Sequence, residues 1–341
     1  MNNDKVGWLL MNTGTPTEPT IEGLKKYYKE FLSDPKVIDI HPLVRSAIVN
    51  LFILPFRPKR ILPQYQGIWL DQGSPLLVHS KNLLAKLRTR NPDIKFELGM
   101  RYGSPSISDG LLNLQSYGVD KIGLAPMFPQ YAEATTGSCI ENAVGLMNQL
   151  GIDLPFTSNY YFYQESFFLK SLAESIENSS SYHESDFLLF SFHGLPERHV
   201  KKMDVSGEFC LKNDKCCEGL SNYNEFCSRY HSNEIVRKIV TSLKPDKPYS
   251  ISFQSRFGLE PWLKPNTMSV LRALPKTGIK KLSVACPSFV FDCLETLEEI
   301  AIKGKEIFIK AGGESLELIP ALNDGDQWAD NFSNYINSKS I

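Results

Sequence analysis

The chain has 341 residues, of which 42% are hydrophobic and 22% are charged, an ordinary globular composition. This length favours two domains of typical size, each with enough apolar material for its own core. The formal net charge is −1, so the chain lacks the basic excess that is typical of nucleic-acid-binding proteins.

Seven short apolar runs predict mostly buried strands, and segments with helical spacing of apolar residues lie between them. The predicted strands are 6–11, 94–100, 121–126, 186–192, 249–255, 281–285 and 316–322. The predicted helices are 21–32, 76–87, 136–150, 167–176, 235–243, 293–308 and 328–336. Strands that alternate with helices are typical of doubly wound α/β domains with parallel sheets.

Two apolar segments bear on localisation. The first, 6–11, is too short for the hydrophobic region of a secretory signal and runs into a Gly-Thr-Pro turn, so we expect a cytoplasmic protein. The second, 43–56, has 14 residues, contains Arg45 and is followed by three basic residues. It is too short to span a bilayer. It either covers a core or cleft, or lies on a membrane surface as an apolar face beside basic anchors.

The chain is predicted to divide near 151–155 into an N-terminal domain, 1–150, and a C-terminal domain, 151–322. A final helix within 323–341 is expected to pack back on the first domain. The segment 197–234 is polar, rich in Gly, Asn and Ser, and without a clear period. Loops of that length inside a compact domain are usually functional or held in place by a bound group.

Two residues near predicted strand ends are candidates for chemistry. His193 follows the buried run FLLFSF and precedes Gly194. Ligands of open α/β sheets bind at the carboxyl ends of the strands, although the histidine could instead be hydrogen-bonded within its loop. Glu295 follows another strand by a short loop; with Asp292 it forms the Asp-x-x-Glu pattern of a helix start. Glu295 and Glu299 share one helix face. Such a set would suit a divalent cation or a proton relay.

Several common motifs are absent from the sequence. It has no phosphate loop, no dinucleotide glycine fingerprint and no His-Glu-x-x-His zinc motif. A nucleotide-driven enzyme and a standard metallopeptidase are therefore disfavoured. The residues by themselves predict a cleft enzyme, with the handling of a divalent metal as one option.

Nine sequence strings together resemble the ferrochelatase family, in particular its bacterial members. They occur in order over nearly the whole chain: LLMNTGTP (9–16), KYYKEFLSDPKVID (26–39), ILPFRPKR (53–60), GSPLLVHS (73–80), LGMRYGSPS (98–106), FPQYAEATTGS (128–138), SFHGLPERH (191–199), SFQSRFGLEPWL (252–263) and CPSFVFDCLETLEEI (286–300).

The resemblance implies two flavodoxin-like (Rossmann-like) domains of the chelatase fold, with four-stranded parallel sheets flanked by helices and a porphyrin cleft between them. It implies a lyase that inserts Fe²⁺ into protoporphyrin IX to give haem. The expected partners are porphyrin and ferrous iron, with no nucleic acid. The protein would be a monomer or homodimer, either cytoplasmic or peripheral at the inner face of the membrane.

The resemblance also implies roles for individual residues. His193 and Glu295 match the metal-handling His and Glu of the family. Our hypothesis is that His193 accepts the pyrrole protons and Glu295 binds iron, although the two roles could be exchanged. Thr13 fits neither the Leu or Met common in protoporphyrin-using members nor the Tyr of coproporphyrin-using ones. The implied substrate-binding positions are Thr13, Ser74, Arg101, Tyr102, Phe289, Asp292 and Glu299.

Four of the seven cysteines lie within 18 residues, spaced Cys210-x5-Cys216-Cys217-x9-Cys227. This matches no common zinc spacing. Four thiolates suffice for a [2Fe–2S] cluster, and adjacent cysteines can ligate one dinuclear centre. The resemblance adds that some ferrochelatases hold such a cluster through cysteines inside the chain. Zinc binding and free thiols are the alternatives. The remaining three are expected to be small buried residues: Cys139, Cys286 and Cys293.

Four other functions compete with protoporphyrin metallation. Three keep the cleft as the functional site: a coproporphyrin-using ferrochelatase, a related cobalt chelatase, and a non-catalytic haem or porphyrin carrier. In the fourth, the protein is an iron–sulfur redox sensor, so the cluster is the functional site and the cleft no longer has a role.

Overall fold

The computed structural model describes residues 4–212, 215–258 and 260–339. The chain forms two compact units. Unit 1 comprises 1–128, 133–161 and 324–341, and unit 2 comprises 129–132 and 162–323. Each unit has its own parallel sheet and its own apolar core.

The sheet of unit 1 has four parallel strands in the order β2–β1–β3–β4. Their bounds are β1 Val6–Gly14, β2 Lys95–Tyr102, β3 Lys121–Pro126 and β4 Phe156–Ser158. The first three strands are buried almost throughout, as their apolar runs predict. The sequence analysis missed β4 because it has three residues, two of them exposed, and offers no apolar period.

The helices of unit 1 flank this sheet. They are α1 Ile21–Ser33, α2 Pro42–Ala47, a π-helix Ile48–Ile53, α3 Arg57–Ile68, α4 Pro75–Arg90, α5 Ile107–Ser116, a π-helical turn Glu133–Gly137, α6 Ser138–Leu150 and the C-terminal α14 Asp326–Ser338. The last of these contacts α4, where the Ser333 hydroxyl donates to Asn91 Oδ1 at 2.8 Å.

The sheet of unit 2 repeats the same arrangement with four parallel strands in the order β6–β5–β7–β8. Their bounds are β5 Phe187–His193, β6 Tyr249–Gln254, β7 Lys281–Ala285 and β8 Ser315–Leu318. The central strand β5 is fully buried up to its last residue, His193. The predicted α/β class with two four-stranded parallel sheets is therefore confirmed.

The helices of unit 2 include one that carries the acidic residues of the predicted site. They are α7 Ser166–Glu177, α8 Ser180–Glu184, α9 Glu197–Lys202, α10 Ser228–Leu243, α11 Thr267–Ala273, a 3₁₀ turn Leu274–Thr277, α12 Leu294–Thr296, a π-helix Leu297–Gly304 and α13 Lys305–Lys310. α10 begins seven residues before the predicted start at 235. Its first turns are mostly polar and hide the helical period, although they bury Tyr230 and His231.

Candidate functional site

His193 is the last residue of β5, where the buried strand reaches the partly exposed edge of the sheet. Its main-chain N–H donates to Ser288 Oγ at 3.1 Å. The imidazole lies edge-on to Phe289, with ring centroids 6.1 Å apart. No described residue hydrogen-bonds either ring nitrogen. The ring is therefore held by its backbone and by the aromatic rings of Phe289 and Trp262 rather than by hydrogen bonds to the described residues.

Glu295 lies in α12, directly after the loop that follows β7, and it is partly exposed. Burial raises the pKa of the neighbouring Cys293 thiol well above its usual range, and the Glu295 charge adds to that shift. Cys293 therefore stays a neutral thiol that donates a hydrogen bond to the carboxylate. Glu295 is thus an ionisable group that begins a helix and keeps access to solvent.

Gln254 at the end of β6 joins these two residues. It is the register partner of His193 in the parallel ladder. Its Nε2 donates to the main-chain oxygen of Glu295 at 2.7 Å. Gln254 therefore links the strand end that carries His193 to the helical turn that carries Glu295 within unit 2.

Glu299 belongs to the same group of residues. Its carboxylate accepts hydrogen bonds from the Ser255 main-chain N–H at 2.8 Å and from Ser255 Oγ at 2.7 Å. Ser255 directly follows β6 and has a φ of 67°, in the left-handed region. The neighbouring Glu298 is half-buried, and burial raises the pKa of its carboxyl group. The π-helix thus presents a row of carboxylates, one of which is fixed to the end of β6.

Asp292 has other partners and is almost fully buried, with 5% of its surface exposed. Its carboxylate accepts from Thr296 Oγ1 at 2.8 Å and from Asn323 Nδ2 at 2.7 Å. Asp292 therefore holds the start of α12 against the segment that follows β8. Its implied contact with substrate stays a prediction.

The other implied substrate positions lie in unit 1. Thr13 is partly buried near the end of β1, and its N–H donates to Asn12 Oδ1 at 2.7 Å. Ser74 is buried and caps α4, its hydroxyl accepting from the Leu77 N–H at 3.4 Å. Neither residue forms a bond that indicates a ligand, so their implied roles stay predictions.

Arg101 and Tyr102 at the end of β2 both donate hydrogen bonds to the buried carboxylate of Asp34. The sequence analysis did not single out Asp34. The Arg101 guanidinium lies 2.7 Å from Asp34 Oδ2, and the Tyr102 hydroxyl donates to the same oxygen at 2.8 Å. Ser138 Oγ donates to it as well, at 2.6 Å. The string FLSDPKVID contained Asp34, but nothing local in it indicated these partners.

This network lowers the pKa of Asp34. Burial alone would raise that pKa, but the hydrogen bonds from Ser138, the Lys36 N–H and Tyr102, together with the Arg101 charge, outweigh it. Burial also raises the pKa of the Tyr102 hydroxyl far above its usual value. Asp34 is thus ionised and Tyr102 neutral at physiological pH, and three donors converge on one carboxylate oxygen.

The four clustered cysteines are all buried. The Sγ atoms of Cys216 and Cys217 lie 3.9 Å apart, and Arg229 Nη1 donates to Cys216 Sγ at 3.3 Å. A hydrogen bond from Cys227 lowers the pKa of Cys210, while burial raises the pKa of Cys217 to about 12. Within the described ranges, no three His, Cys, Asp or Glu side chains are grouped so that they could hold a metal ion. The structure therefore gives the predicted cluster no support.

The segment 43–56 forms α2 and the π-helix that follows it, and one side of it is strongly exposed. The exposed fractions are 77% for Leu43, 64% for Leu51, 68% for Phe52 and 69% for Phe56. No helix in the described part of the chain combines the length and apolar character needed to cross a bilayer.

Comparison with solved structures defines the class of fold. The structure of SirB from Bacillus subtilis with Fe³⁺ is similar to this chain with a TM-score of 0.54 at 12% sequence identity, covering 98% of this chain and 94% of that one. At this identity the likeness shows the fold alone, which is that of the two-domain chelatases.

Sequence comparison identifies the family. The ferrochelatase family model matches residues 5–340. A ferrochelatase of Coxiella burnetii (strain CbuG_Q212) is 44% identical over 329 residues, which cover 96% of this chain and 92% of the relative. A ferrochelatase of Pseudomonas fluorescens (strain Pf0-1) is 41% identical over 327 residues, 94% of each chain. The chain belongs to the ferrochelatase family, enzymes that insert iron into a porphyrin in haem biosynthesis.

Proposed function

We propose that this enzyme inserts Fe²⁺ into protoporphyrin IX, with His193 and Glu295 as its catalytic residues. One observation carries the assignment of residues: buried Gln254 donates to the main-chain oxygen of Glu295 and is the register partner of His193, whose imidazole has no hydrogen-bond partner among the described residues. The choice of protoporphyrin rests on the likeness of the nine strings, since Thr13 matches neither substrate type. Coproporphyrin is the alternative substrate.

The reaction needs a base and a metal ligand. A porphyrin carries two pyrrole N–H protons, which must leave as Fe²⁺ enters. A neutral imidazole can accept such a proton near pH 7, and a carboxylate can hold a hard divalent cation. We assign proton acceptance to His193 and the binding of incoming iron to Glu295. Glu299, fixed by Ser255, would then lead protons or iron along the π-helix.

Anaerobic insertion of Fe²⁺ into protoporphyrin IX and coproporphyrin III, measured side by side, tests this function. We expect a higher kcat/KM with protoporphyrin. His193→Ala and Glu295→Gln should each lower kcat by a factor of about 10² or more, the usual contribution of a positioned acid or base. His183→Ala and Glu306→Gln, both exposed positions of unit 2, are the matched controls.

Three outcomes would contradict the proposal. Near-wild-type rates in folded His193→Ala and Glu295→Gln variants would refute the assignment of residues. Tight porphyrin binding without any metal insertion would favour a carrier. A kcat/KM for Co²⁺ far above that for Fe²⁺ would favour a cobalt chelatase.

We further propose that Cys210, Cys216, Cys217 and Cys227 hold a [2Fe–2S] cluster. The support is chemical: four buried thiols come from one loop segment, and the cationic Arg229 contacts one of them. The 3.9 Å between the sulfurs of Cys216 and Cys217 is close to the roughly 3.8 Å that separates two thiolates on one tetrahedral metal with 2.3 Å bonds. The structure offers no complete ligand set among its described residues.

The cluster proposal has a direct test. Protein purified anaerobically should be brown, contain two iron atoms per chain if the cluster is complete, and lose its visible absorption with dithionite. Cys227→Ser should abolish the colour, whereas Cys139→Ser, another buried cysteine, should keep it. Colourless protein without iron would refute the cluster, and bound zinc would replace it.

We also propose that the segment 43–56 contacts the inner face of the membrane. Its exposed apolar side chains lie beside exposed Lys59 and Arg60, the pattern of an interfacial helix. Phe52→Asn should lower the fraction of protein that sediments with phosphatidylglycerol vesicles. Ile309→Asn, an exposed apolar position in unit 2, should not. Equal sedimentation of both variants and wild type would refute the contact.

A further inference from the structure

Gln254 occupies a position from which it contacts both catalytic candidates. It ends β6, pairs with His193 in the parallel ladder, and is only 1% exposed. Its main-chain oxygen accepts the Gly194 N–H at 2.9 Å. A Cβ at Gly194 would lie 2.7 Å from that same oxygen, so the residue after His193 must lack a side chain for the backbones to approach this closely.

The carboxamide of Gln254 uses both of its ends. Nε2 donates to the Glu295 main-chain oxygen at 2.7 Å, and Oε1 accepts from Ser191 Oγ at 2.7 Å. Ser191 lies two residues before His193 on β5 and points to the same side of the strand. One buried amide therefore ties the strand that carries His193 to the helical turn that carries Glu295.

We propose that Gln254 is a positioning residue that fixes Glu295 relative to His193. This inference rests on the proposed function of those two residues. A buried donor between two elements sets their separation, because its loss removes a hydrogen bond from the Glu295 carbonyl and leaves the Ser191 hydroxyl with only its 2.9 Å contact to Thr267 Oγ1 among the described residues. A shift of about 1 Å in a catalytic group can lower the rate by about 10²-fold.

The next residue, Ser255, holds a second acidic residue, Glu299, at the same strand end. Its N–H and its hydroxyl both donate to the Glu299 carboxylate, from a backbone with φ of 67°. Non-glycine residues in this region are uncommon and cost energy unless local contacts fix them. The end of β6 thus holds Glu295 of α12 through its main chain and Glu299 of the π-helix through its carboxylate.

The first test is Gln254→Met in the full chain, a substitution of similar shape without donor or acceptor. We expect kcat/KM for Fe²⁺ to fall about 10- to 100-fold, while the Kd for porphyrin, measured by fluorescence, stays within about two-fold. A change confined to the metal step would not follow from a general loss of structure.

Asn91→Leu is the matched control. Asn91 is also a buried amide that donates to a main-chain oxygen, Leu87 O at 2.9 Å, and accepts from a serine hydroxyl, that of Ser333 at 2.8 Å. It lies in unit 1 and contacts no candidate catalytic residue. Asn91→Leu should lower the melting temperature as much as Gln254→Met does, with kcat/KM of the folded protein close to wild type.

Gln254→Glu provides a second test, the pH dependence of kcat/KM, which should not change if Gln254 has only a structural role. A protonated Glu can donate to the Glu295 carbonyl as the amide does, whereas an ionised one repels both that carbonyl and the Glu299 carboxylate, which lies 3.5 Å from Nε2 of Gln254 in the wild-type protein. The ratio of variant to wild-type kcat/KM should therefore fall as pH rises through the titration of the new carboxyl group. If Gln254→Met does not fold, this pH profile carries the test.

The outcomes separate the two proposals. The positioning role is overturned, and the proposed function stands, if His193→Ala and Glu295→Gln lose activity while Gln254→Met keeps a kcat/KM close to wild type, as Asn91→Leu does. In that case Gln254→Glu should also show a ratio of variant to wild-type kcat/KM that does not change with pH. If His193→Ala and Glu295→Gln keep their activity, the assignment of His193 and Glu295 as catalytic residues fails and the role of Gln254 fails with it. An equal loss of porphyrin and metal affinity in Gln254→Met would also overturn the positioning role.

Discussion

The two sheets share one strand order and differ in what their strand ends carry. In unit 1, Arg101 and Tyr102 at the end of β2 donate to the buried carboxylate of Asp34, which also accepts from Ser138. In unit 2, the imidazole of His193 at the end of β5 has no hydrogen-bond partner among the described residues, and Glu295 keeps access to solvent. One strand end is a satisfied polar network, and the other is open.

This difference shows that strand ends of the same fold can carry either stability or chemistry. A buried network with all partners present rigidifies its surroundings, and an accessible titratable group remains free to react. Substitution of Asp34 should therefore change mainly the free energy of unfolding, and substitution of His193 mainly the rate. The predictions below test that division, from the largest expected effect to the smallest.

The largest effect on stability is expected from Asp34→Ala. Removing the carboxylate leaves Arg101 as an uncompensated charge and Tyr102 and Ser138 without their acceptor, so we expect a loss of about 3–5 kcal/mol in the free energy of unfolding. His193→Ala should cost about 1 kcal/mol or less, because its ring is partly exposed and has no described hydrogen bond. Denaturant titration followed by tryptophan fluorescence measures both. Equal losses in the two variants would refute the division between the units.

The stability that Asp34 provides should depend on pH. Its folded pKa lies below the unfolded value of about 3.9. The contribution is therefore fully present above the unfolded pKa, and it is lost as pH falls through the lower folded pKa. The stability difference between wild type and Asp34→Asn should be constant from pH 7 to 5 and narrow below pH 4.

Asp109→Asn provides a control for this pH prediction, because Asp109 caps α5 from an exposed position and should show a smaller difference. A wild-type advantage over Asp34→Asn that stays constant down to pH 2 would contradict the assigned charge of Asp34.

A smaller effect is expected at Asp292, whose carboxylate holds α12 within the otherwise open site. Asp292→Asn should lower the free energy of unfolding by about 1–3 kcal/mol, because the hydrogen bonds that the buried carboxylate accepts from Thr296, Asn323 and Ala321 are weakened. The double mutant Asp292→Asn/Asn323→Ala should lose less free energy of unfolding than the sum of the two single mutants, because both substitutions weaken or remove the same 2.7 Å hydrogen bond. Additive losses would show that this bond contributes nothing measurable.

The sequence predicted the open strand end better than the closed one, for a physical reason. His193 follows a buried run and precedes a glycine, so a local pattern places it at a sheet edge. The bond between Arg101 and Asp34 joins residues 67 positions apart, and the bond between Gln254 and Glu295 spans 41. No local period encodes such pairs, because they depend on the register of whole elements.

The elements that the sequence analysis missed are those with weak local signals. Helix α5 carries Gly110 inside it, which lowers its helical propensity, and α11 has only seven residues. β4 has three residues and takes its place from pairing with β3. The inner strands β1, β3, β5 and β7 were found because burial on both faces of a parallel sheet imposes continuous apolar runs.

The smallest effect is expected at Ser255, where backbone strain and hydrogen bonding oppose each other. Ser255→Ala keeps the left-handed backbone, with its cost of about 1–2 kcal/mol, and loses the hydroxyl bond to Glu299; we expect about 1 kcal/mol of destabilisation. Ser255→Gly loses the same bond but adopts a φ of 67° without strain, so its stability should lie within about 0.5 kcal/mol of wild type. Denaturant titration of the three proteins separates the two contributions. If Ser255→Ala and Ser255→Gly lower the free energy of unfolding equally, the left-handed conformation of Ser255 carries no energetic cost. The end of β6 that holds Glu299 would then be free of backbone strain.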